Sequence, residues 1–169
     1  MKFKRMFFIA LMSVFAFSNI ANAQQNAGLK AGDESPKFDF PDVKGNTVSS
    51  DDFRGKYVFI DVWASWCPPC RGQLPHMKAL EEKMHGKNIV FVSISVDDDE
   101  KAWKDMVEKE SLTGYQLRAN IDAPFMKKYE VNGIPRFILL DKEGKIINPN
   151  MTRPSQPETL KTLEGLEGI

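Results

Sequence analysis

Only two of the 169 residues are cysteine and only two are histidine. Zinc needs four ligands, and His76 and His85 do not stand at finger-like spacing from Cys67 and Cys70. Haem attachment wants a histidine directly after the second cysteine, where Arg71 stands. The sequence therefore calls for no metal and no cofactor. Neither sign of charge dominates: 23 basic residues balance 23 acidic ones, so there is no footprint for nucleic acid. No apolar run reaches the roughly 20 residues a membrane-crossing helix requires. There is no internal repeat and no low-complexity tract. What remains is a chain 42% hydrophobic and 27% charged, the composition of a single globular domain with a real core.

The amino-terminal end is set apart. Lys2, Lys4 and Arg5 precede a 12-residue apolar stretch, Met6 to Phe17, broken only by Ser13, and Ala21-Asn22-Ala23 follows. A basic start, a short apolar core and a small-x-small site form the layout of a secretory signal peptide. The expectation is export, with cleavage after Ala23; retention as an anchor is the alternative. Cleavage removes three basic residues and no acidic one, leaving a net charge of −3. Residues 24–35 are small and polar and read as a flexible lead-in. The folded domain is expected over 36–169.

Within it, Phe38, Phe40, a Lys44-Gly45-Asn46 turn and Thr47-Val48 suggest a β-hairpin. Tyr57–Trp63 and Ile89–Val96 read as buried strands. Pro68 to Met84 has helical spacing with Leu74, Met77, Leu80 and Met84 on one side, and Pro75 should kink it. Glu100–Glu110 and Ala123–Tyr129 read as helices, and the acidic run Asp97 to Glu100 as a loop leading into the first of them. Arg136–Asp141 and Lys145–Ile147 flank Glu143-Gly144 as a second hairpin. Ser155 should cap a last helix burying Leu160, Leu163 and Leu166. This order describes an α/β domain: a central mixed sheet with helices on both faces and an N-terminal β-hairpin extension.

Export places Cys67 and Cys70 where disulfides persist. A disulfide closing so small a loop removes little chain entropy and is a poor staple, which directs attention to redox chemistry. Cys67-Pro68-Pro69-Cys70 follows a buried strand and opens a helix. A thiolate at a helix N-terminus meets unpaired N–H groups and the positive end of the dipole, which lowers its pKa. Cys67 is then the attacking residue, and Cys70, one turn on, the resolving one. Pro68 and Pro69 sit where a missing N–H costs little. Asp61 interrupts the apolar run Val58–Trp63, where a carboxylate is costly unless paired or neutral.

Val62-Trp63-Ala64-Ser65-Trp66-Cys67-Pro68-Pro69-Cys70 resembles the active-site segment of the thioredoxin superfamily, and Asn132-Gly133-Ile134-Pro135 resembles its cis-proline loop. The signal segment, the hairpin and the insertion around 97–129 are similar to the TlpA/ResA-like extracytoplasmic branch. The resemblance implies a thioredoxin fold, a cis Ile134–Pro135 bond facing the cysteines, and a periplasmic thiol–disulfide oxidoreductase. Trp66, Pro69, Ile134 and Pro135 would then form an apolar patch around an exposed sulfur, suited to flexible protein substrates. The resemblance further implies Asp61 as proton acceptor for Cys70, since thioredoxins carry an Asp six residues before the first cysteine. It also implies a membrane redox protein as electron donor and apocytochrome c as one substrate. The chain is expected to act as a monomer.

Two positions depart from the pattern. Many thioredoxins carry a Lys near this Asp on the neighbouring strand, and Phe91–Ser95 offers none. Many relatives of the branch carry Glu three residues after the second cysteine, where this chain has Gln73. Asp61 is therefore expected to transfer the proton alone. Pro-Pro places no cation or histidine between the cysteines, which favours a reductase over a strongly oxidising disulfide donor. A disulfide-donating oxidase and a non-catalytic binding module remain the alternatives. A peroxidase is disfavoured by Ile60 and Ala64, which stand where peroxiredoxins have Pro and Thr.

Overall fold

The computed structural model describes residues 28–169. The expected signal segment and cleavage site lie outside the described residues. Strand β3 (Tyr57–Trp63) is buried along its whole length and is the middle of a five-stranded sheet ordered β5-β4-β3-β6-β7. It runs parallel to β4 (Ile89–Ser95) and antiparallel to β6 (Arg136–Leu140). Strand β5 (Tyr115–Arg118) joins β4 in parallel, and β7 (Ile146–Asn148) joins β6 antiparallel. The near-continuous apolar run of β3 follows from this position, because both of its faces are covered.

Among the described residues, five α-helices supply the cover: α1 (Pro68–Arg71), α2 (Leu74–Lys83), α3 (Glu100–Lys109), α4 (Pro124–Lys128) and α5 (Pro157–Glu164). Met77 and Leu80 of α2 and Leu163 of α5 pack with Tyr57, Phe59, Phe91, Phe137 and Leu139 on one face. Trp103 of α3 and Phe125 and Met126 of α4 pack with Val58, Ile60, Val62 and Ile94 on the other. The hairpin β1 (Asp39–Pro41) and β2 (Thr47–Ser49) lies against this second layer. Phe38 stacks on Phe40 and meets the edge of Phe125, with ring centroids 5.2 and 5.3 Å away. The hairpin turn is closed by the Asp42 carboxylate, which accepts the N–H groups of Lys44 and Asn46, both at 2.8 Å. Gly45 there has φ +86°, a conformation glycine adopts freely.

The N-terminal segment guards both sheet edges. Glu34 bridges to Lys145, and the Gly32 and Ser35 N–H groups donate to Ile146 and Gly144. Asp42 bridges to Leu117 of β5. Residues 32–35 are thus bonded to the domain, and the part of the expected lead-in that the structure describes is held in place. The reason is the exposed edge of β7, whose unpaired groups need partners.

Three local expectations change. The helix expected over 68–84 is two helices, separated by Gly72 and Gln73. Pro75 has no N–H to give Arg71 and its ring crowds that carbonyl, so the chain breaks and restarts with Pro75 in the first turn of α2. The last helix is entered through Gln156 with no side-chain cap, and Pro157 opens it. The Ser155 N–H instead donates to Gln73 Oε1 at 3.1 Å. Finally, β5 had no sequence signal of its own. Of its four residues only Gln116 and Leu117 are buried, and pairing with β4 makes it a strand.

Candidate active site

The C-terminal end of β3 delivers the chain into the loop Ala64–Trp66 and then into α1. Cys67 is the N-cap of α1, with Pro68 and Pro69 next, and its Sγ accepts the Cys70 N–H at 3.2 Å. The two sulfurs are joined in a disulfide, with Cα atoms 5.3 Å apart. Because α1 is a single turn before the break, a long helix dipole is not what faces Cys67. The donor in place is the N–H of Cys70, and a thiolate at Cys67 would receive it as a charge-assisted hydrogen bond.

The Ile134–Pro135 bond is cis, and Cys67 Sγ lies 3.8 Å from the Ile134 carbonyl oxygen. Trp66 is 64% exposed, the most open large apolar side chain among the described residues. Pro68 and Pro69 are exposed, while Ile134 and Pro135 are half-buried. Cys67 itself is only 4% exposed. The sulfur expected to stand open is therefore recessed, with the exposed Trp66 and Pro69 beside it in the chain and the Ile134 carbonyl across from it.

Asp61 lies on β3, opposite Ser93 of β4 and Phe137 of β6. It is 3% exposed, and its Oδ1 has no hydrogen-bond partner. Burial pushes its carboxyl up to about 8, and the like charge of Glu81 on α2 adds to the shift. Glu81 is raised as well, by burial, against a hydrogen bond from the Thr113 hydroxyl and the charge of Lys78. Asp61 thus has an acidic neighbour that its sequence context did not announce. For Asp61 the charged form loses water without a compensating cation.

Asp97 lies in the expected loop leading into α3, with its side chain turned inward. It is 2% exposed. Its carboxylate accepts the Ser65 N–H at 2.9 Å, the Ser65 hydroxyl at 2.7 Å and the Ser95 hydroxyl at 2.6 Å. The cap of α3 is Asp99, which accepts from the N–H groups of Lys101 and Ala102. Asp97 thus ties the end of β4 to the loop two residues before Cys67. The available sequence signal was its position directly after a buried strand, next to an acid better placed to cap. Gln73 accepts the Ser155 N–H, a structural bond between the active-site turn and the entry to α5. His76 and His85 are exposed.

A recessed cysteine pair beside a cis-proline loop suits dithiol exchange with a protein chain. The comparisons agree. Residues 30–166 match the Redoxin family model. The chain is 30% identical over 138 residues to the thiol-disulfide oxidoreductase ResA of Bacillus thuringiensis subsp. konkukian, covering 80% of this chain and 79% of that one. It is similar to the solution structure of a candidate thiol-disulfide oxidoreductase from Bacteroides vulgatus, at 53% identity and a TM-score of 0.71, covering 85% and 94% of the two chains. A crystal structure of another such candidate from Bacteroides vulgatus matches at 35% identity and a TM-score of 0.75, covering 80% and 96%. The chain belongs to the Redoxin family and is a TlpA/ResA-like thiol–disulfide oxidoreductase of the thioredoxin superfamily.

Proposed function

We propose that the protein is exported, cleaved after Ala23, and acts in the periplasm as a monomeric reductant of protein disulfides. The observation that carries this reading is the Cys67–Cys70 pair at the start of a one-turn helix, next to Trp66, Pro69, Ile134 and Pro135, with two prolines and no cation between the cysteines to hold the reduced form. A dithiol whose thiolate is weakly stabilised gives up its electrons readily.

In the reaction, the Cys67 thiolate attacks one sulfur of the substrate disulfide. That bond breaks, the substrate's other sulfur leaves as a thiolate, and a mixed disulfide joins Cys67 to the substrate. Asp61 accepts the Cys70 proton as its carboxylate becomes a carboxylic acid. The Cys70 thiolate then attacks Cys67 Sγ, expelling the second substrate thiolate and leaving the Cys67–Cys70 disulfide. The substrate has gained two electrons. A membrane redox protein would restore the dithiol, and apocytochrome c is a fitting substrate because its haem-attachment cysteines must be reduced.

The test is the equilibrium of Cys67–Cys70 in glutathione buffers. A midpoint near about −270 mV supports a reductant, and one near about −120 mV would reassign the protein as a disulfide donor. Insulin reduction separates both from a binding module: a wild type without turnover, whose partner binding survives Cys67→Ser, would end the enzymatic reading.

A further inference from the structure

Ser93 is the register partner of Asp61, and Gln116 is the register partner of Ser93. Paired residues of neighbouring strands lie about 4.8 Å apart and point to the same face. Asp61, Ser93 and Gln116 therefore form one polar row across β3, β4 and β5, on a face otherwise built from Phe59, Phe91 and Phe137. All three are buried, at 3, 5 and 7% exposure.

The row has a gap in its hydrogen bonding at each end. Asp61 Oδ1 and Gln116 Oε1 are both buried without a partner. The Gln116 amide Nε2 donates to the Thr113 carbonyl at 2.6 Å, which commits the nitrogen there and leaves the oxygen as the free acceptor. Between the two stands a hydroxyl, which has one proton to donate and two lone pairs to accept with. The Ser93 hydroxyl is bonded to neither of them as it stands; buried acceptors left unpaired are costly, and rotation of this side chain about its Cα–Cβ bond is what would bring a donor to either.

We propose that Ser93 is a positioning residue for Asp61: its hydroxyl donates to Asp61 Oδ1 when Asp61 is ionised, and turns to Gln116 Oε1 when Asp61 holds a proton and donates to Ser93 Oγ. The proposal rests on the reading of Asp61 as the acceptor of the Cys70 proton. It explains how a carboxyl walled by aromatic rings can take up and release that proton, because either state finds a partner without movement of the backbone.

Other charged groups around Asp61 do not substitute for Ser93. On α2, Glu81 accepts from Thr113 and the Lys78 ammonium donates to the Glu110 carbonyl. On α5, Glu158, Lys161 and Glu164 are exposed. On β5, Arg118 turns to Glu100 and the Asp97 carbonyl. On β6, Arg136 donates to the Tyr129 carbonyl on the opposite face. Strand β4 carries no charged residue, and α1 contributes the cysteine pair.

The two neighbours act with opposite sign. Removing the hydroxyl takes a donor from the carboxylate and favours the neutral acid. Removing the Gln116 oxygen leaves the hydroxyl a single target and favours the ionised form. The experiment follows the Asp61 side-chain carboxyl by 13C NMR across pH in the oxidised whole chain. Ser93→Ala should move the midpoint up by about one pH unit, and Gln116→Leu should move it down by about half a unit. Ser93→Thr, which keeps the hydroxyl, should restore the wild-type midpoint. An unmoved midpoint in Ser93→Ala, or an upward shift in both variants, would overturn the proposal. Ser93→Ala and Ser93→Thr decide the matter if Gln116→Leu does not fold. The titration does not depend on catalysis, so the role of Asp61 is judged separately, from the pH profile of mixed-disulfide resolution in Asp61→Asn.

Discussion

Asp97 holds Ser65 twice, accepting its backbone N–H at 2.9 Å and its hydroxyl at 2.7 Å. The cysteine-bearing turn is therefore anchored to the neighbouring strand by one buried carboxylate. Replacing Asp97 with Ala leaves the Ser65 and Ser95 donors buried without an acceptor. The expected loss is about 1–3 kcal/mol of stability, measured by urea unfolding. Insulin reduction should fall with it, since Cys67 loses its support two residues upstream. Asp97→Asn keeps one acceptor oxygen and should recover part of both.

The raised Asp61 carboxyl has a consequence for stability against pH. In the unfolded chain Asp61 releases its proton near its ordinary value of 3.8, and in the folded protein near 8. Between these values the native state holds the extra proton, so stability falls as pH rises from about 4 to about 8 and then levels. Glu81, also raised, adds a slope of the same sign. Asp61→Asn should flatten the dependence and be more stable than wild type at pH 8, by a few kcal/mol to order of magnitude. Urea unfolding of the oxidised protein at pH 5, 7 and 9 checks this. Glu81→Gln should flatten the dependence too, by removing the slope of Glu81 itself and by lowering the Asp61 midpoint through loss of the like charge.

Gln73 Oε1 accepts the Ser155 N–H and cannot act as a base. Gln73→Ala should cost about 1 kcal/mol of stability and leave the pH profile of mixed-disulfide resolution where it is. A displaced profile would assign Gln73 a part in the chemistry.

Trp66 is 64% exposed, so Trp66→Ala should change stability by less than about 0.5 kcal/mol. Its effect belongs to substrate capture: KM for a protein disulfide should rise several-fold while kcat, and the rate with a small aromatic disulfide, stay near wild type. Equal losses with both substrates would remove Trp66 from the docking rim.

The elements readable from the chain were those whose pattern is local. The apolar run Tyr57–Trp63 and the strand from Ile89 could be read because both are buried on two faces. The helix bearing Leu74, Met77 and Leu80 could be read because one stripe faces the core. Strand β5 could not, because Gln116 and Leu117 alone are buried and the strand exists only by pairing with β4. The double helix around Pro75 was half legible: proline announces an interruption, but whether the chain kinks or restarts depends on how Gly72 and Gln73 are accommodated.

The same division runs through the site. Sequence by itself determined the spacing of Cys67 and Cys70, the proline pair between them, the acid six residues upstream and the Ile134-Pro135 loop, because these are facts of order along one chain. The fold alone decided that Asp97 faces Ser65, that Glu81 of α2 bears on Asp61, and that Asp61, Ser93 and Gln116 share a row across three strands. Those residues are 20 or more positions apart, and strand register, set by the packing of two buried faces, brings them together.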